Sequence, residues 1–457
     1  MTTINYDDII IAIKVKEGNN MSEKIKPKTL PGFMELLPNE QILFNKMKEI
    51  IKETYESFGF LPIDTPIVED ANVLLAKAGG ETEKQIYTLK KGENDLALRF
   101  DLTVPLAKYV TQYYDKLNFP FKRYQIGKVY RGEKAQRGRY REFYQCDIDI
   151  IGDGSLSILN DAEIPSVIYN TFKNLGFDDF TICINNRKIL NGLFDSLKLE
   201  DKSTEILRVI DKIDKIGSEK VEKELLEDIP EEKVKTIMNF ISISGKNEDK
   251  LKKLEEMNIE SQLFKEGLKE LKEVLKYIVL FGVPAKNVNI DLTISRGLDY
   301  YTGTIYETFL NKYRNLGSIC SGGRYDNLTE YYTDKKMPGV GISIGLSRLF
   351  FQLIDNNIIS ADNEAISDVL IISMTNDNEI GIKIATELRK NNINTQVNLE
   401  EQKLGKKFKY ANNLNVKYVI IIGEDEIANN DVTLKNMITG NQETIKLKDA
   451  IKLIKGE

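Results

Sequence analysis

Residues 121–152 read FKRYQIGKVYRGEKAQRGRYREFYQCDIDIIG, two runs rich in β-branched and aromatic residues separated by the polar, glycine-containing GEKAQRGR. The pattern predicts two long strands, FKRYQIGKVYR and REFYQCDIDIIG, joined as an antiparallel pair. Side chains two apart on a strand share a face. Gln145, Asp147 and Asp149 therefore stand at strand spacing inside an apolar, aromatic run, where burying a bare carboxylate is costly. Either the strand is an edge with Asp149 in solvent, or one face carries Gln145 and Asp149 into a polar pocket. Arg139 and Arg141 are also two apart and able to point together at a polyanion, with Arg131 at the end of the adjoining strand and Glu133 two residues beyond it. The alternative is a solvated, charge-rich hairpin.

On the N-terminal side, Leu43, Met47, Ile50, Ile51, Tyr55 and Phe58 recur at helical spacing after Pro38, and Gly59 sits where a C-terminal cap belongs. FLPIDTPIVED follows as extended chain broken by Pro62 and Pro66. LALRFDL is read as a further strand. Within LALRFDLTVPLAKY, Asp101 and Thr103 supply one charge and one hydroxyl acceptor, a set suited to an ammonium. DLTVP opens a helix equally well, with Asp101 or Thr103 as its N-cap.

On the C-terminal side, residues from about 195 to 280 turn charged and helix-favouring, a helical insertion. NVNIDLTI, GTIYETFL and SICSGG then read as strands, and GVGISIGLSRLFFQLI as a glycine-rich strand running into a helix. In TISRGLDYYTGTIYE, Arg296 lies beside Gly297, and Tyr300 and Tyr301 precede another glycine. An arginine on a glycine-turned loop reaches a phosphate while phenols frame a small polar ligand; an aromatic core strand needs no glycines there. Gly339, Gly341 and Gly345 precede Arg348, in a segment that is neither a Walker loop nor a Rossmann fingerprint. Its glycines let a flat ligand lie on the backbone, and Arg348 can stack over a base. CSGGRYD, taken alone, reads as a turn. After the linker SADNEAIS, DVLIISM, EIGIKIATELRKN, INTQVNL, KKFKYANNL and VKYVIIIG alternate strand and helix as a small separate α/β domain.

A chain of 457 residues exceeds the size at which one core keeps growing, so two or three domains are expected. The balance of 64 basic and 70 acidic residues argues against indiscriminate coating of nucleic acid and leaves local basic patches as the means of any RNA contact. Cys146, Cys183 and Cys320 stand far apart without a CxxC pair, which supports neither a disulfide framework nor a structural zinc site, and a reducing cytoplasmic setting fits them. No apolar run approaches the ~20 residues that span a bilayer. The short IIIAI at 9–13 follows two aspartates and is no signal peptide; residues 1–20 read as an extension, with Met21 a second candidate start. The chain contains no histidine, which excludes an imidazole base, a Ser-His pair and a His-ligated metal.

Together and in this order, the segments resemble the three signature motifs of class II aminoacyl-tRNA synthetases. Within that class the chain is similar to the histidyl-tRNA synthetase family, whose specific peptides stand here as RGLDYYTGTIYE and GGRYD; the resemblance runs from Pro31 to the C-terminus. It implies an α+β fold: a six-stranded antiparallel catalytic sheet flanked by helices, a helical insertion, a C-terminal α/β anticodon-binding domain, and a homodimer built around the motif near Pro66. The divisions expected are an extension at 1–20, catalytic parts at 21–194 and 282–360, the insertion at 195–281 and the anticodon-binding domain at 366–457. The substrates implied are L-histidine, ATP with Mg²⁺, and tRNA(His), with no membrane.

Carried over residue by residue, Arg131 holds the α-phosphate and Arg139 the outer phosphates. Phe143 and Arg348 sandwich adenine, with Glu133 near its amino group. Asp101, Thr103 and Gln145 take the ammonium of histidine, Asp149 and Tyr301 address its imidazole, and Tyr300 lines the pocket. Arg296 braces the carboxylate and the α-phosphate. Asp101 stands where some members carry glutamate, which shortens the arm that reaches the ammonium. Lys403, Lys406, Lys407 and Lys409 form a basic cluster for tRNA backbone contacts, or else a solvated helix face.

Two rival readings share the fold. One is the non-catalytic regulatory subunit of ATP phosphoribosyltransferase, which binds histidine without charging tRNA. Such paralogues are expected to lack the terminal domain and the phosphate-binding arginines, whereas Arg131, Arg296, Arg348 and the segment from about 366 are present here. The other is a synthetase for threonine, proline or glycine, against which the two family-specific peptides argue.

Overall fold

The computed structural model describes residues 25–76, 81–134, 138–294, 301–362, 365–375 and 378–456. Its first strands, in chain order, are β1 (Leu61–Pro62), β2 (Val68–Asp70), β3 (Thr88–Lys91), β4 (Asn94–Leu98), β5 (Phe121–Tyr130), β6 (Glu142–Ile151), β7 (Phe180–Asn186), β8 (Val288–Ile290), β9 (Thr304–Leu310), β10 (Cys320–Tyr325) and β11 (Gly339–Ile344). Eight of them make one sheet in the order β1-β5-β6-β11-β10-β9-β7-β8. Every pairing from β5 to β7 is antiparallel, and the two short edge strands, β1 and β8, pair parallel to their neighbours. The implied six-stranded antiparallel sheet is thus the centre of a mixed eight-stranded one.

Strand periodicity decides what each face of that sheet does. Tyr124 and Ile126 of β5, Cys146, Ile148 and Ile150 of β6, and Val340, Ile342 and Ile344 of β11 all face one side. There they share a core with Phe44 and Ile51 of the helix Pro38–Ser57 and Ile164 and Val167 of the helix Leu159–Asn174. The alternate residues, Arg123, Gln125, Gln145, Asp147, Asp149, Gly341 and Ser343, form the other face. The helix Pro38–Ser57 begins with proline at its first position, and the Glu40 carboxylate accepts the Leu37 N–H at 3.0 Å, so its N-terminal donors are served locally.

The β8 edge is closed by side chains of the insertion. Asn247 donates to the Val288 carbonyl at 2.9 Å and accepts from the Ile290 N–H at 2.8 Å, as a neighbouring strand would, and Lys250 donates to the Ile290 carbonyl at 2.6 Å. The insertion itself is helical from Ser203–Ile210 to Gln262–Leu280, and its last helix packs on Leu159–Asn174 and Arg187–Ser196.

Three sequence expectations need correction. LALRFDL is not one long strand: β4 ends at Leu98 and belongs to a separate three-stranded sheet, β2-β4-β3. Beyond it, Asp101 starts the helix Thr103–Gln112, accepting the Thr103 N–H at 3.1 Å and the Val104 N–H at 2.9 Å. CSGGRY is strand β10 in the middle of the main sheet, not a turn. Arg139 and Arg141 precede β6 and are not strand neighbours.

The remaining strands, β12 (Val369–Ser373), β13 (Thr395–Asn398), β14 (Tyr418–Ile422), β15 (Val432–Asn436) and β16 (Gln442–Ile445), form a second sheet in the order β13-β12-β14-β15-β16. Its first three strands are parallel and its last two antiparallel. VLIIS and YVIII are buried throughout because the helices Glu379–Lys390 and Leu404–Asn413 cover opposite faces. The β15–β16 hairpin and the helix Leu447–Lys455 were not foreseen. Among the described residues, no helix is long and apolar enough to cross a membrane.

Candidate active site

The polar face of the sheet is built on a buried ion pair. Arg123 of β5 lies opposite Asp149 of β6 in register, and its fully buried guanidinium reaches Asp149 Oδ2 at 2.5 Å. Tyr325 of β10 donates its hydroxyl to Asp149 Oδ1 at 2.5 Å, and Arg123 also donates to the Leu102 carbonyl at 3.2 Å. Burial pushes the Asp149 carboxyl up to about 6, with Arg123 and the Tyr325 hydroxyl opposing the rise. Burial likewise pushes Asp147 up to about 7, despite the opposing charge of Arg123. Asp101 is raised too, again by burial, against the N–H groups it accepts and the charge of Arg131. Asp149 therefore stands in a pocket on a central strand, and the solvent-edge alternative falls.

Above this floor lies a cavity of about 1030 Å³, lined by Asp101, Thr103, Gln145, Asp149 and Tyr301 among others. A smaller cavity of about 340 Å³ adjoins it and is lined by Glu133, Phe143 and the start of the helix Leu346–Asp355. Arg131, Arg139 and Arg348 line both. Of the described residues expected at the amino acid, Asp101, Thr103, Asp149 and Tyr301 thus line the larger space and Gln145 both, while Glu133 and Phe143, expected at adenine, line the smaller.

Arg131 is positioned by its aromatic neighbours. Its guanidinium lies 4.3 Å from the Phe100 ring centroid and 5.1 Å from that of Phe143, and Nε donates to the Phe100 carbonyl at 3.2 Å. Arg348 is exposed, three residues into its helix, and donates to the Leu316 carbonyl at 2.8 Å. Arg139 meets Glu133 at 3.3 Å, while Arg141 donates to the Glu133 carbonyl at 2.9 Å and ties down the loop. The pair of arginines aimed together at a polyanion is therefore not formed.

Arg296 and Tyr300 fall outside the described residues, as does the extension at 1–20. In the second sheet's domain, Lys403, Lys406 and Lys409 are exposed, but Lys407 is buried with its ammonium on the Ser373 carbonyl at 3.0 Å. Lys407 is a structural lysine and leaves the basic cluster. The sequence reading missed Arg123 and Tyr325, which only the strand register brings to Asp149. It also set the insertion apart from the chemistry, whereas Asp211 and Ile213 reach the larger cavity.

Comparison with known proteins agrees with this geometry. The family model described as Histidyl-tRNA synthetase matches residues 32–349, and one described as Anticodon binding domain matches 368–457. A histidine–tRNA ligase of Clostridium tetani is 59% identical over 433 residues, covering 94% of this chain and 98% of that protein. One of Finegoldia magna is 49% identical, covering 94% and 100%. A crystal structure of histidyl-tRNA synthetase from Nostoc sp. PCC 7120 superposes with a TM-score of 0.87 at 40% identity, over 95% of this chain and all of that one. A structure described as an ATP phosphoribosyltransferase regulatory subunit/histidyl-tRNA synthetase, from Bacillus halodurans, shares the fold at a TM-score of 0.71 and 22% identity.

Proposed function

The chain belongs to the histidyl-tRNA synthetase family, and from that premise we propose that it activates L-histidine with ATP and transfers the histidyl group to tRNA(His). The observation that carries the site assignment is the position of Arg131 where the two cavities meet. A histidine in the larger cavity and adenine in the smaller bring carboxylate and α-phosphate together at this arginine.

In the first step a carboxylate oxygen of histidine attacks the α-phosphorus in line, the bond to the bridging oxygen breaks, and pyrophosphate leaves. ATP enters as its Mg²⁺ complex, the metal held largely by substrate phosphates and water. No proton moves, so a chain without histidine lacks nothing for this chemistry. Arg131, and Arg296 by resemblance, stabilise the charge that grows on the α-phosphate oxygens, an effect that preorganised positive groups supply without rearrangement. Arg139 holds the outer phosphates, Phe143 and Arg348 enclose adenine, and Glu133 lies near its amino group. Asp101, Thr103 and Gln145 hold the ammonium, and Asp149, Tyr300 and Tyr301 address the ring. In the second step a terminal ribose hydroxyl of the tRNA attacks the adenylate carbonyl, its proton passes to a phosphate oxygen, the bond from the carbonyl carbon to the phosphate oxygen breaks, and AMP leaves.

The domain at 366–457, with Lys403, Lys406 and Lys409 on its surface, is read as the anticodon-binding part. A homodimer is supported by apolar residues left exposed around Pro66, Leu61 on the short edge strand β1 and Ile67 and Val68 at the start of β2. Cys146, Cys183 and Cys320 are all buried and unpaired, in keeping with a reducing cytoplasm. A charging assay with ATP, histidine and tRNA(His) tests the proposal: histidyl-tRNA should accumulate with release of AMP. Histidine binding without adenylate or charging would instead mark a regulatory, non-catalytic relative.

A further inference from the structure

The three polar residues of β6 on the cavity floor are not equivalent. Both carboxylate oxygens of Asp149 are engaged, by Tyr325 and by Arg123. Asp147, two residues back on the same face, is 2% exposed, and its Oδ1 is buried with no hydrogen-bond partner among the described residues. Gln145 is fixed by donating its amide to Ser343 Oγ at 2.7 Å, and its Oε1 is likewise buried without a partner. Ser343 is the residue opposite Asp147 in the β6–β11 register, so one hydroxyl stands beside both side chains.

A buried carboxylate oxygen and a buried amide oxygen without donors are costly to maintain. Both residues line the larger cavity, and strand spacing sets them roughly 7 Å apart along the backbone. Among the described residues no lysine lines this cavity, and no guanidinium bonds Asp147 Oδ1: Arg123 spends Nη2 on Asp149 and the Leu102 carbonyl while its Nε and Nη1 are themselves buried without a partner, and Arg131, Arg139 and Arg348 donate to the Phe100 carbonyl, to Glu133 and to the Leu316 carbonyl. The missing donor is therefore one that a ligand brings, and a cation suits a carboxylate best. Asp101, at the start of the helix Thr103–Gln112, is near enough for its charge to act on Asp147. Gln145 and Asp101 are the groups already assigned to the ammonium.

On the reading that this cavity takes the amino acid, we infer that Asp147 is a further substrate-binding residue whose Oδ1 accepts from the α-ammonium, beside Asp101 and Gln145. Asp149, held by Arg123 and Tyr325, is then left to the side chain. Burial and the like charges of Asp149 and Asp101 resist ionisation of Asp147, with Arg123 and the Ser343 hydroxyl opposing them. An incoming ammonium favours its charged form.

Asp147→Asn keeps the side-chain volume and removes the charge. Dissociation constants by calorimetry with two probes test the inference: L-histidinol, which has the ammonium and the ring, and 3-(imidazol-4-yl)propionate, which lacks the ammonium. The variant should bind L-histidinol about 10- to 100-fold more weakly, the range for a hydrogen bond to a charged group. Its affinity for the propionate should not change, and its KM for histidine should rise more than its kcat falls. Unchanged L-histidinol affinity would overturn the inference, and so would a loss seen equally with the propionate, which would assign Asp147 to the ring. Ser343→Ala guards against a folding defect in the first variant. It leaves the carboxylate in place and should weaken L-histidinol without abolishing its binding; no effect of this variant on either probe would count against the shared site. If the parent protein shows no histidine-dependent ATP–pyrophosphate exchange, the underlying reading fails. If it exchanges but ignores the Asp147 change, only this inference fails.

Discussion

Arg123 sets a full positive charge beneath the larger cavity, and its removal leaves Asp149 buried against Tyr325 with no counter-charge. Breaking a buried pair from one side costs about 3–5 kcal/mol. Arg123→Met should lower unfolding stability by that order in denaturant titration, and a loss under about 1 kcal/mol would show that the pair carries little of the fold. Arg131→Ala should leave stability nearly untouched and slow histidine-dependent exchange by roughly 10²–10³-fold, as loss of one preorganised charge does. The raised carboxyls give a pH signature of defined sign. Asp147 at about 7, and Asp149 and Asp161 at about 6, the last buried in the helix Leu159–Asn174 against Arg324, bind protons more tightly folded than unfolded. Their contribution is fully present below the unfolded carboxylate range near ~4 and is lost as pH rises through 6 to 7. Asp147→Asn should therefore gain melting temperature over the ligand-free parent between pH 5 and 7.5, the gain growing with pH; a gain that shrinks with pH contradicts the assignment. At this scale Gln145, Asp147 and Asp149 were legible because strand parity alone puts them together. Arg123 was not, since Lys122 and Arg123 are adjacent charges and nothing local says which turns inward. Its partner is 26 positions away.

At two glycines, Gly322 of β10 and Gly341 of β11, a side chain would run into the neighbouring strand, β11 for the first and β6 for the second. A Cβ on Gly322 would lie 2.1 Å from the Gly341 carbonyl oxygen, and one on Gly341 would lie 2.2 Å from Asp149 Oδ1. The second contact is with the ion pair itself, so Gly341→Ala should displace the Asp149 carboxylate from Arg123. We expect a loss of stability of about 1–3 kcal/mol, the usual cost of overpacking, together with weakened histidine binding. Parent-like histidine affinity in a folded Gly341→Ala protein would mean that Asp149 can move without consequence for the ligand. The element scale also shows where sequence signals mislead. Glycine pairs mark turns when they supply backbone freedom, but in CSGGRY they supply empty space for a neighbouring strand, and composition does not distinguish the two. LALRFDL has strand composition from end to end, yet Asp101 caps the helix that follows, and capping overrides propensity.

For the whole molecule, the order of segments is more informative than any one of them. The long strands, the helical insertion and the terminal α/β unit were each legible in composition and periodicity, whereas the assembly of those strands into one antiparallel sheet followed only from the family resemblance. The parallel edges β1 and β8 were not, because strands of two and three residues carry no period. Lys407 was misread for a similar reason: on a helix of alternating lysines only packing tells that one of them turns inward to the Ser373 carbonyl. If the domain at 366–457 reads the anticodon, removing it should abolish efficient charging while much of histidine activation remains, and charging unaffected by truncation would refute the assignment. If the face at Leu61, Ile67 and Val68 joins two copies, light scattering should give twice the 52.2 kDa chain mass, and Val68→Glu should shift it toward one. If the assignment of the cavities holds, the polar floor under Arg131 selects histidine for activation. That selection is tested most directly by ATP–pyrophosphate exchange with a panel of amino acids that includes threonine, proline and glycine. L-histidine alone should support exchange; exchange supported by another amino acid, or by none, would overturn that selectivity.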